Sequence, residues 1–389
     1  PSFQNNVSLS NPVTWSSLKF THLSVSYNGL ESKIVKNNAN NGFSNLQSVQ
    51  LIIPVKQKYA FGIELHPYSY QEIILSDTAY NDIIAFEDTV SIQNKYDQAG
   101  GIMALDLSLS SSLFNGNNIG FTMQLLFGSS RQNKSLLLNQ IPYTQASRLN
   151  YSGVNSTLYI SQKVNLINFY LNSSFSINPL EAIYTKLYPF DDTNKNGYHD
   201  FTYNYLNPGY DFPHPNDVPE PNESRITDIY DKSSIGMGIT RKILNRIQLS
   251  AELEKNTDNS SFDIRLPNSF NYRIKSNDNY SFGIIWFPDD LSFRFIDNFT
   301  FRSGFLYSTY SFDEYENLNQ SRIDNKNDIT QFGYTIGFGY KFKAVGNQID
   351  FTYYSGSRDY PNIYNDETLR EFQIGLSIAD IWFIKRRQR

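Results

Sequence analysis

Large apolar residues and polar residues alternate along much of the chain. In the segment 331–343, QFGYTIGFGYKFK, every even-numbered position from Phe332 to Phe342 is apolar or aromatic, and every odd-numbered position is glycine, polar or charged. Alternation with a period of two predicts a β-strand with one apolar face. That face must contact either a protein core or lipid.

The same alternation recurs along the whole chain. An example is Tyr59, Phe61, Ile63 and Leu65, which interleave with residues that are small or polar. Two weaker segments near 43–53 and 148–162 bring the number of predicted strands to about 14, and an even number places both chain ends on one side of a membrane. The clear segments are 23–27, 59–65, 103–109, 119–127, 167–175, 235–239, 247–253, 280–286, 299–307, 332–342, 349–353 and 372–378.

The length of these segments favours lipid over a protein core. Strands of soluble β-sandwiches, the competing fold class, average about five or six residues, whereas a tilted strand needs about 9–11 residues to cross a bilayer. Short links also alternate with long ones such as 179–229, as expected for periplasmic turns and extracellular loops. The pattern predicts an all-β protein, a transmembrane antiparallel β-barrel of about 14 strands over residues 17–384, followed by a basic periplasmic tail at 385–389.

Composition fits a barrel in the outer membrane of a Gram-negative bacterium. Charged residues make up only 18% of the chain and aromatic residues 15%. The mean hydropathy is nevertheless -0.45, because a barrel combines an apolar lipid face with a polar lumen and polar loops. Trp15, Trp286 and Trp382 fall at predicted periplasmic strand ends, where an aromatic girdle would meet the lipid headgroups. The net charge of -5 and the absence of a basic stripe argue against a nucleic-acid partner.

The sequence gives little support to catalysis. The chain has four histidines, no cysteine and no Gly-x-Ser-x-Gly motif, so no nucleophile and base stand at a recognisable spacing. His22 and His66 are predicted to point inward, which argues against a hydrolase site on the lipid face. We therefore expect a protein that is not an enzyme and requires no cofactor.

Several local motifs together resemble a known transporter family. They are Ser10–Trp15 (SNPVTW), Pro54 followed by Tyr59–Ile63 (YAFGI) and His66–Ser69 (HPYS), Phe301–Phe305 (FRSGF) and Ile374–Phe383 (IGLSIADIWF). In order and spacing they are similar to the FadL-type outer-membrane transport proteins, in particular divergent members from Bacteroidetes-like bacteria. The resemblance spans nearly the whole chain.

The resemblance implies how such a barrel would work. A hatch near the N-terminus closes the lumen, and hydrophobic molecules, such as long-chain fatty acids, leave sideways through a kinked third strand. Asn11 and Pro12 stand where the family has Asn-Pro-Ala, with Val13 replacing the alanine. Residues 1–16 would form the hatch, which is either reduced or begins before Pro1.

Pro67 is the residue that would mark the lateral opening. Proline cannot donate a ladder hydrogen bond, so within the segment Tyr59–Tyr70 it predicts a bulge or kink; alternatively, the third strand simply ends there and a surface loop begins. Glu64 and His66 would line the lumen just below it, with Tyr68 beside it, and Arg302 would lie on the lumen face. A hydrogen-bonded polar lumen explains Glu64, His66 and Arg302 equally well.

The segment 192–200, DTNKNGYHD, has the spacing of a calcium-binding loop. Side-chain oxygens of Asp192, Asn194, Asn196 and Asp200, with the backbone carbonyl of Tyr198, could surround a Ca²⁺ ion. No bidentate glutamate follows, so an EF-hand is excluded. The alternative is a turn rich in Asn and Asp within the long extracellular loop 179–229.

Two functions remain open. The first is passive uptake of hydrophobic small molecules across the outer membrane, with lipid and the transported molecule as partners. The second is a barrel that does not transport and serves as a subunit or anchor of a larger outer-membrane complex for secretion or surface attachment, with envelope proteins as partners. A transporter needs an opening, whereas a scaffold needs a partner surface.

Overall fold

The computed structural model of the chain describes most of its length. The described residues are 3–4, 7–8, 10–34, 39–56, 58–77, 81–85, 88–113, 116–138, 141–192, 198–199, 211–261, 272–289, 294–315, 322–323, 328–343, 347–360 and 366–380.

These residues form a closed antiparallel barrel of 14 long strands, as the sequence predicts. The ring closes where β20 pairs with β3, with Ile374 opposite Tyr27. The barrel strands are β3 (Thr21–Ile34), β4 (Ala39–Val55), β5 (Tyr59–Ser76), β7 (Asp88–Ser112), β8 (Asn117–Leu138), β9 (Ile141–Val164), β10 (Ile167–Lys186), β13 (Lys232–Leu244), β14 (Ile247–Asp258), β15 (Tyr272–Trp286), β16 (Phe299–Tyr315), β18 (Ile329–Lys343), β19 (Asn347–Asp359) and β20 (Glu367–Asp380).

Short elements complete the described fold. The short strands are β1 (Phe3–Gln4), β2 (Val7–Ser8), β6 (Asn81–Ala85), β11 (Phe190–Asp191), β12 (Asn222–Tyr230) and β17 (Arg322–Ile323), and the 3-10 helices are Pro12–Ser17, Pro215–Asp217 and Phe295–Asn298. Within 179–229, β10 continues to Lys186 and pairs with β12. Among the described residues, no helix has the length and apolar character needed to cross a bilayer.

The outer face of the barrel is apolar and exposed. Outward side chains such as Leu109, Phe305 and Phe332 are more than half exposed. The inward side chains of Ala104 and Thr300, by contrast, are at most 1% exposed. An apolar belt of this extent on a closed barrel is the surface that lipid covers, which answers what the apolar face of segment 331–343 contacts.

Aromatic side chains cluster at the barrel end that carries the short turns. Trp286 lies beside Phe301, with ring centroids 5.7 Å apart, and the Arg246 guanidinium lies 5.2 Å from the Trp286 ring centroid. Trp286 therefore fits the predicted girdle at the membrane interface. The prediction is wrong for Trp15, which is 2% exposed and points into the barrel. Trp382 lies outside the described residues.

Candidate functional site

The ladder between β4 and β5 stops halfway along the two strands. It runs from Val55 opposite Tyr59 to Val49 opposite Leu65. Beyond that point residues 39–48 of β4 pair only with β3, and residues 66–76 of β5 pair only with β7. We call this split between 39–48 and 66–76 the seam.

The seam opens next to Pro67. In the ladder with β7, Pro67 lies opposite Met103 and Ser69 opposite Ile102, so Tyr68 is an extra residue, that is, a β-bulge. Proline has no N–H to donate to a ladder, which makes a bulge at this position favourable. The strand continues to Ser76, so the alternative in which it ends at Pro67 does not describe the structure.

The height of the seam places it within the membrane. Tyr59 begins β5 beside the short turn that follows β4, and Leu65 lies six residues further along the strand. At roughly 3.3 Å per residue and a tilt of about 40°, this is about 15 Å above the turn side. The hydrocarbon core is about 30 Å thick, so lipid that begins at the Tyr59 end of β5 would cover the first part of the seam.

Aromatic side chains lie on both sides of the seam. The rings of Phe43 and Tyr70 stack with centroids 5.3 Å apart. Tyr68 points inward and meets Tyr230 edge to face, with centroids 6.4 Å apart.

The inner wall next to Tyr68 is filled by an apolar cluster. Its buried members are Ile102, Ala104, Leu126, Leu149, Tyr151, Leu180, Ala182 and Ile226. Tyr68 packs against this lumen cluster, so apolar side chains line the inside of the wall directly behind the bulge.

A polar cavity of about 770 Å³ occupies the lumen below the lumen cluster. Its lining includes Glu64 and His66 from β5 and Arg302 from β16. The opposite wall is partly lined by Gly283, Gly304 and Gly375, where the absence of side chains leaves room for the cavity.

A chain of hydrogen bonds crosses the inner wall from β5 to β10. His66 Nε2 lies 3.3 Å from Asp106 Oδ2, and Gln124 Nε2 donates to Asp106 Oδ1 at 2.9 Å. Asn155 Nδ2 donates to Gln124 Oε1 at 3.1 Å, and Ser176 Oγ donates to Asn155 Oδ1 at 3.0 Å. Polar groups in a barrel interior stabilise one another in this way.

Glu64, Arg302 and Asp350 in the cavity also have partners. Gln50 Nε2 donates to Glu64 Oε2 at 2.9 Å. Arg302 forms an ion pair with Asp350, which also accepts a hydrogen bond from Gln348 Nε2 at 2.6 Å. The structure thus brings Glu64, His66 and Arg302 to one cavity, whereas Pro67 and Tyr68, which follow His66 along β5, are not part of its lining.

The N-terminal segment lies inside the barrel. The Asn11 side chain accepts a hydrogen bond from the backbone N–H of Val13 and caps the 3-10 helix that begins at Pro12. Pro12 and Val13 pack over Gly120, and the Trp15 ring packs over Gly62 so closely that a Cβ there would overlap it. These two glycines provide the depressions in which the segment sits.

The described part of the predicted calcium loop contains two of its five residues. Asp192 is buried, and Tyr198 is exposed with the Arg131 guanidinium 3.6 Å from its ring centroid. Asn194, Asn196 and Asp200 lie outside the described residues. No group of three or more His, Asp or Glu side chains suited to a metal ion occurs within the described ranges. Calcium binding stays a prediction.

The comparisons with known proteins place the chain in a family. The family model of BamG matches residues 2–388. The chain belongs to the BamG family. No curated protein matches it.

Solved structures similar to this BamG-family chain share its barrel fold. The FadL homologue of Pseudomonas aeruginosa has a TM-score of 0.55 and 12% identity, with coverage of 95% of this chain and 92% of that one. The Pseudomonas putida toluene transporter TodX has a TM-score of 0.51 and 12% identity, with coverage of 96% and 93%. The CymD monoaromatic hydrocarbon channel has a TM-score of 0.52 and 11% identity, with coverage of 96% and 92%. The FadL-like barrel fold predicted from the sequence is thereby confirmed.

Two aromatic residues at the seam of this BamG-family barrel are not predicted from the sequence. Phe43 belongs to a segment whose alternation is weak, and Tyr70 follows the bulge that resets the alternation of β5. Their stacking depends on how far β4 and β5 separate, which the spacing of residues along either strand does not determine.

Proposed function

We propose that this barrel lets hydrophobic small molecules cross the outer membrane passively, through the lumen and then sideways through the seam. The observation that carries the proposal is the seam itself, because a closed barrel with complete ladders has no lateral exit. The process needs no cofactor and no chemical step. The names of the solved neighbours, a toluene transporter and a monoaromatic hydrocarbon channel, support this class of transported molecule.

The aromatic and apolar surroundings of the seam fit such a molecule. Tyr68 and the lumen cluster offer an apolar wall on the inside, and Phe43 and Tyr70 offer aromatic faces at the opening. A molecule with a hydrophobic body gains by leaving the polar cavity for this wall and then for lipid. Small side-chain movements at Tyr68, Phe43 and Tyr70 would create the continuous path.

Replacing the proline tests this proposal. A Pro67→Val variant regains a backbone N–H, so the bulge is no longer favoured and the β4–β5 ladder can extend past Leu65. We expect uptake of a neutral hydrophobic fluorophore by cells that carry the variant to fall several-fold. The matched control is Pro54→Val, because Pro54 lies opposite Ala60 in the paired part of β4. Equal uptake by the wild type and Pro67→Val would contradict a lateral exit at this bulge.

The second candidate is a barrel that does not transport and serves as a subunit or anchor of an envelope complex. It is favoured by the same seam, because the facing edges of β4 and β5 carry backbone groups that an extended segment of another protein could pair with. A photoreactive amino acid at position 70 distinguishes the two. Cross-links to lipid or small molecules favour transport, whereas a stoichiometric cross-link to one protein favours the scaffold.

A further inference from the structure

The cavity carries an excess of acidic side chains. Within the described residues its lining contains five carboxylates, from Glu64, Asp106, Glu252, Asp350 and Glu371. The basic side chains of the lining are Arg302 and His66. Lys232 and Lys341, on neighbouring strands, are not part of the lining. If the barrel transports molecules as proposed, the net negative charge of this cavity influences which molecules can enter it.

Neither basic side chain is available to a ligand. Arg302 is held by the ion pair with Asp350, and the two side chains are only 13% and 11% exposed. His66 Nε2 contacts Asp106, and His66 Nδ1 lies 3.1 Å from the carbonyl oxygen of Pro67. An anionic group that enters the cavity would have to compete with an existing carboxylate for each of these positions.

Two carboxylates, in contrast, are not neutralised. No hydrogen bond or ion pair of Glu252 occurs among the described residues, and the side chain is exposed to the cavity. Glu371 accepts a hydrogen bond from Asn28 Nδ2 at 3.0 Å but has no cationic partner there.

A buried acceptor lies next to Glu371, outside the cavity lining. Asn28 is 7% exposed, and its Oδ1 atom has no donor in the described part of the chain. The Glu252 carboxylate on β14 and the Glu371 carboxylate on β20 line the cavity and can accept hydrogen bonds but cannot donate them. They therefore favour a ligand that donates N–H or O–H groups.

We propose that the cavity binds neutral and cationic molecules with a hydrophobic body and rejects those that carry a carboxylate. The inference rests on the proposed transport function and names its substrate class. Like charges in a site with restricted water repel one another more strongly than in bulk solvent, and a hydrogen-bond donor on the ligand meets acceptors on the wall. The charge of the ligand's polar group thus decides which hydrophobic molecules bind, whereas the seam does not distinguish them by charge.

Three ligands that share a benzene ring but differ in net charge test the inference. Benzyl alcohol, benzylammonium and benzoate are offered to the purified full-length barrel in nanodiscs of zwitterionic lipid, and binding is measured by calorimetry or saturation-transfer NMR. We expect benzoate to bind about tenfold or more weakly than benzyl alcohol, and benzylammonium to bind at least as tightly as benzyl alcohol. Equal binding of benzoate and benzyl alcohol would overturn the inference and leave the transport proposal standing. Binding of none of the three would overturn both.

Variants that remove two of the negative charges test whether the cavity causes the weaker binding of benzoate. The double variant Glu252→Gln and Glu371→Gln keeps the shape of both side chains, and we expect it to raise the affinity for benzoate by at least threefold while changing that for benzyl alcohol less than twofold. Glu31→Gln, an exposed position on the outward side of β3, is the matched control and should change neither. If the double variant folds, as judged by its heat-dependent gel mobility, and benzoate affinity is unchanged, these two carboxylates do not set the selectivity.

Discussion

Phe43 of β4 and Tyr70 of β5 stack with ring centroids 5.3 Å apart, although their strands are not paired at that level. The contact between the two halves of the seam is therefore made here by side chains, which can separate without breaking a ladder of backbone hydrogen bonds. A stacked aromatic pair contributes about 0.5–1.5 kcal/mol beyond its buried area. This interaction energy is small enough for thermal motion to separate the two rings, and large enough to keep them in contact most of the time.

Removing one ring should make the seam open more often. For Phe43→Ala or Tyr70→Ala we expect the rate of uptake of a neutral hydrophobic fluorophore to rise roughly two- to tenfold, since 1.4 kcal/mol corresponds to a factor of ten. The matched control is Phe305→Ala, which removes a ring from the Phe305–Phe332 stack on the lipid face between paired strands. A rise in the control as large as that in Phe43→Ala would show that general loosening of the barrel is responsible.

The N-terminal segment should leave its position when Gly62 gains a side chain. A Cβ at Gly62 would overlap the Trp15 ring, so we expect Gly62→Leu to displace the Pro12–Ser17 helix and raise single-channel conductance in planar bilayers. Gly375→Ala is the control, because the nearest atom to a Cβ there is 3.6 Å away, an ordinary contact.

A second substitution tests whether that effect passes through Trp15. In a Trp15→Ala background the ring that obstructs position 62 is gone, so Gly62→Leu should change conductance much less than it does in the wild type. If both backgrounds respond equally, contact with Trp15 is not what the new side chain disturbs.

The hydrogen-bond chain through Asp106 should contribute to stability. Asp106→Ala leaves the partly buried donors on His66 and Gln124 without their acceptor, and about 1–3 kcal/mol, the cost of a fully buried unsatisfied donor, is the upper bound for each. We expect a lower midpoint in the temperature series that converts the folded gel band to the unfolded one. Asp97→Ala, which removes an exposed ion pair with Lys95 at 3.8 Å, should change the free energy of unfolding by less than about 0.5 kcal/mol. Similar midpoints for the two variants would contradict the structural role of the chain.

The sequence predicts the barrel well because its signal is local. Alternation such as that from Phe332 to Phe342 needs only the pleat of a strand and the presence of lipid, and Pro67 signals its bulge through the chemistry of one ring. Features that depend on distances between strands are not local. The end of the β4–β5 ladder at Leu65 and the stack of Phe43 on Tyr70 depend on how two strands diverge. The inward position of Trp15 is not local either, because the depression at Gly62 that receives its ring exists only once the barrel is closed.

The central claim is that the seam is the route of exit, and a reversible tether tests it most directly. The chain has no cysteine, so Phe43→Cys with Tyr70→Cys provides a unique pair that a bifunctional methanethiosulfonate reagent can bridge and a reductant can release. A pair at Val49 and Leu65, already opposite in the ladder, is the control. We predict that bridging positions 43 and 70 lowers uptake of the fluorophore, that reduction restores it, and that bridging 49 and 65 changes nothing. Unchanged uptake with a fully bridged seam would contradict the account.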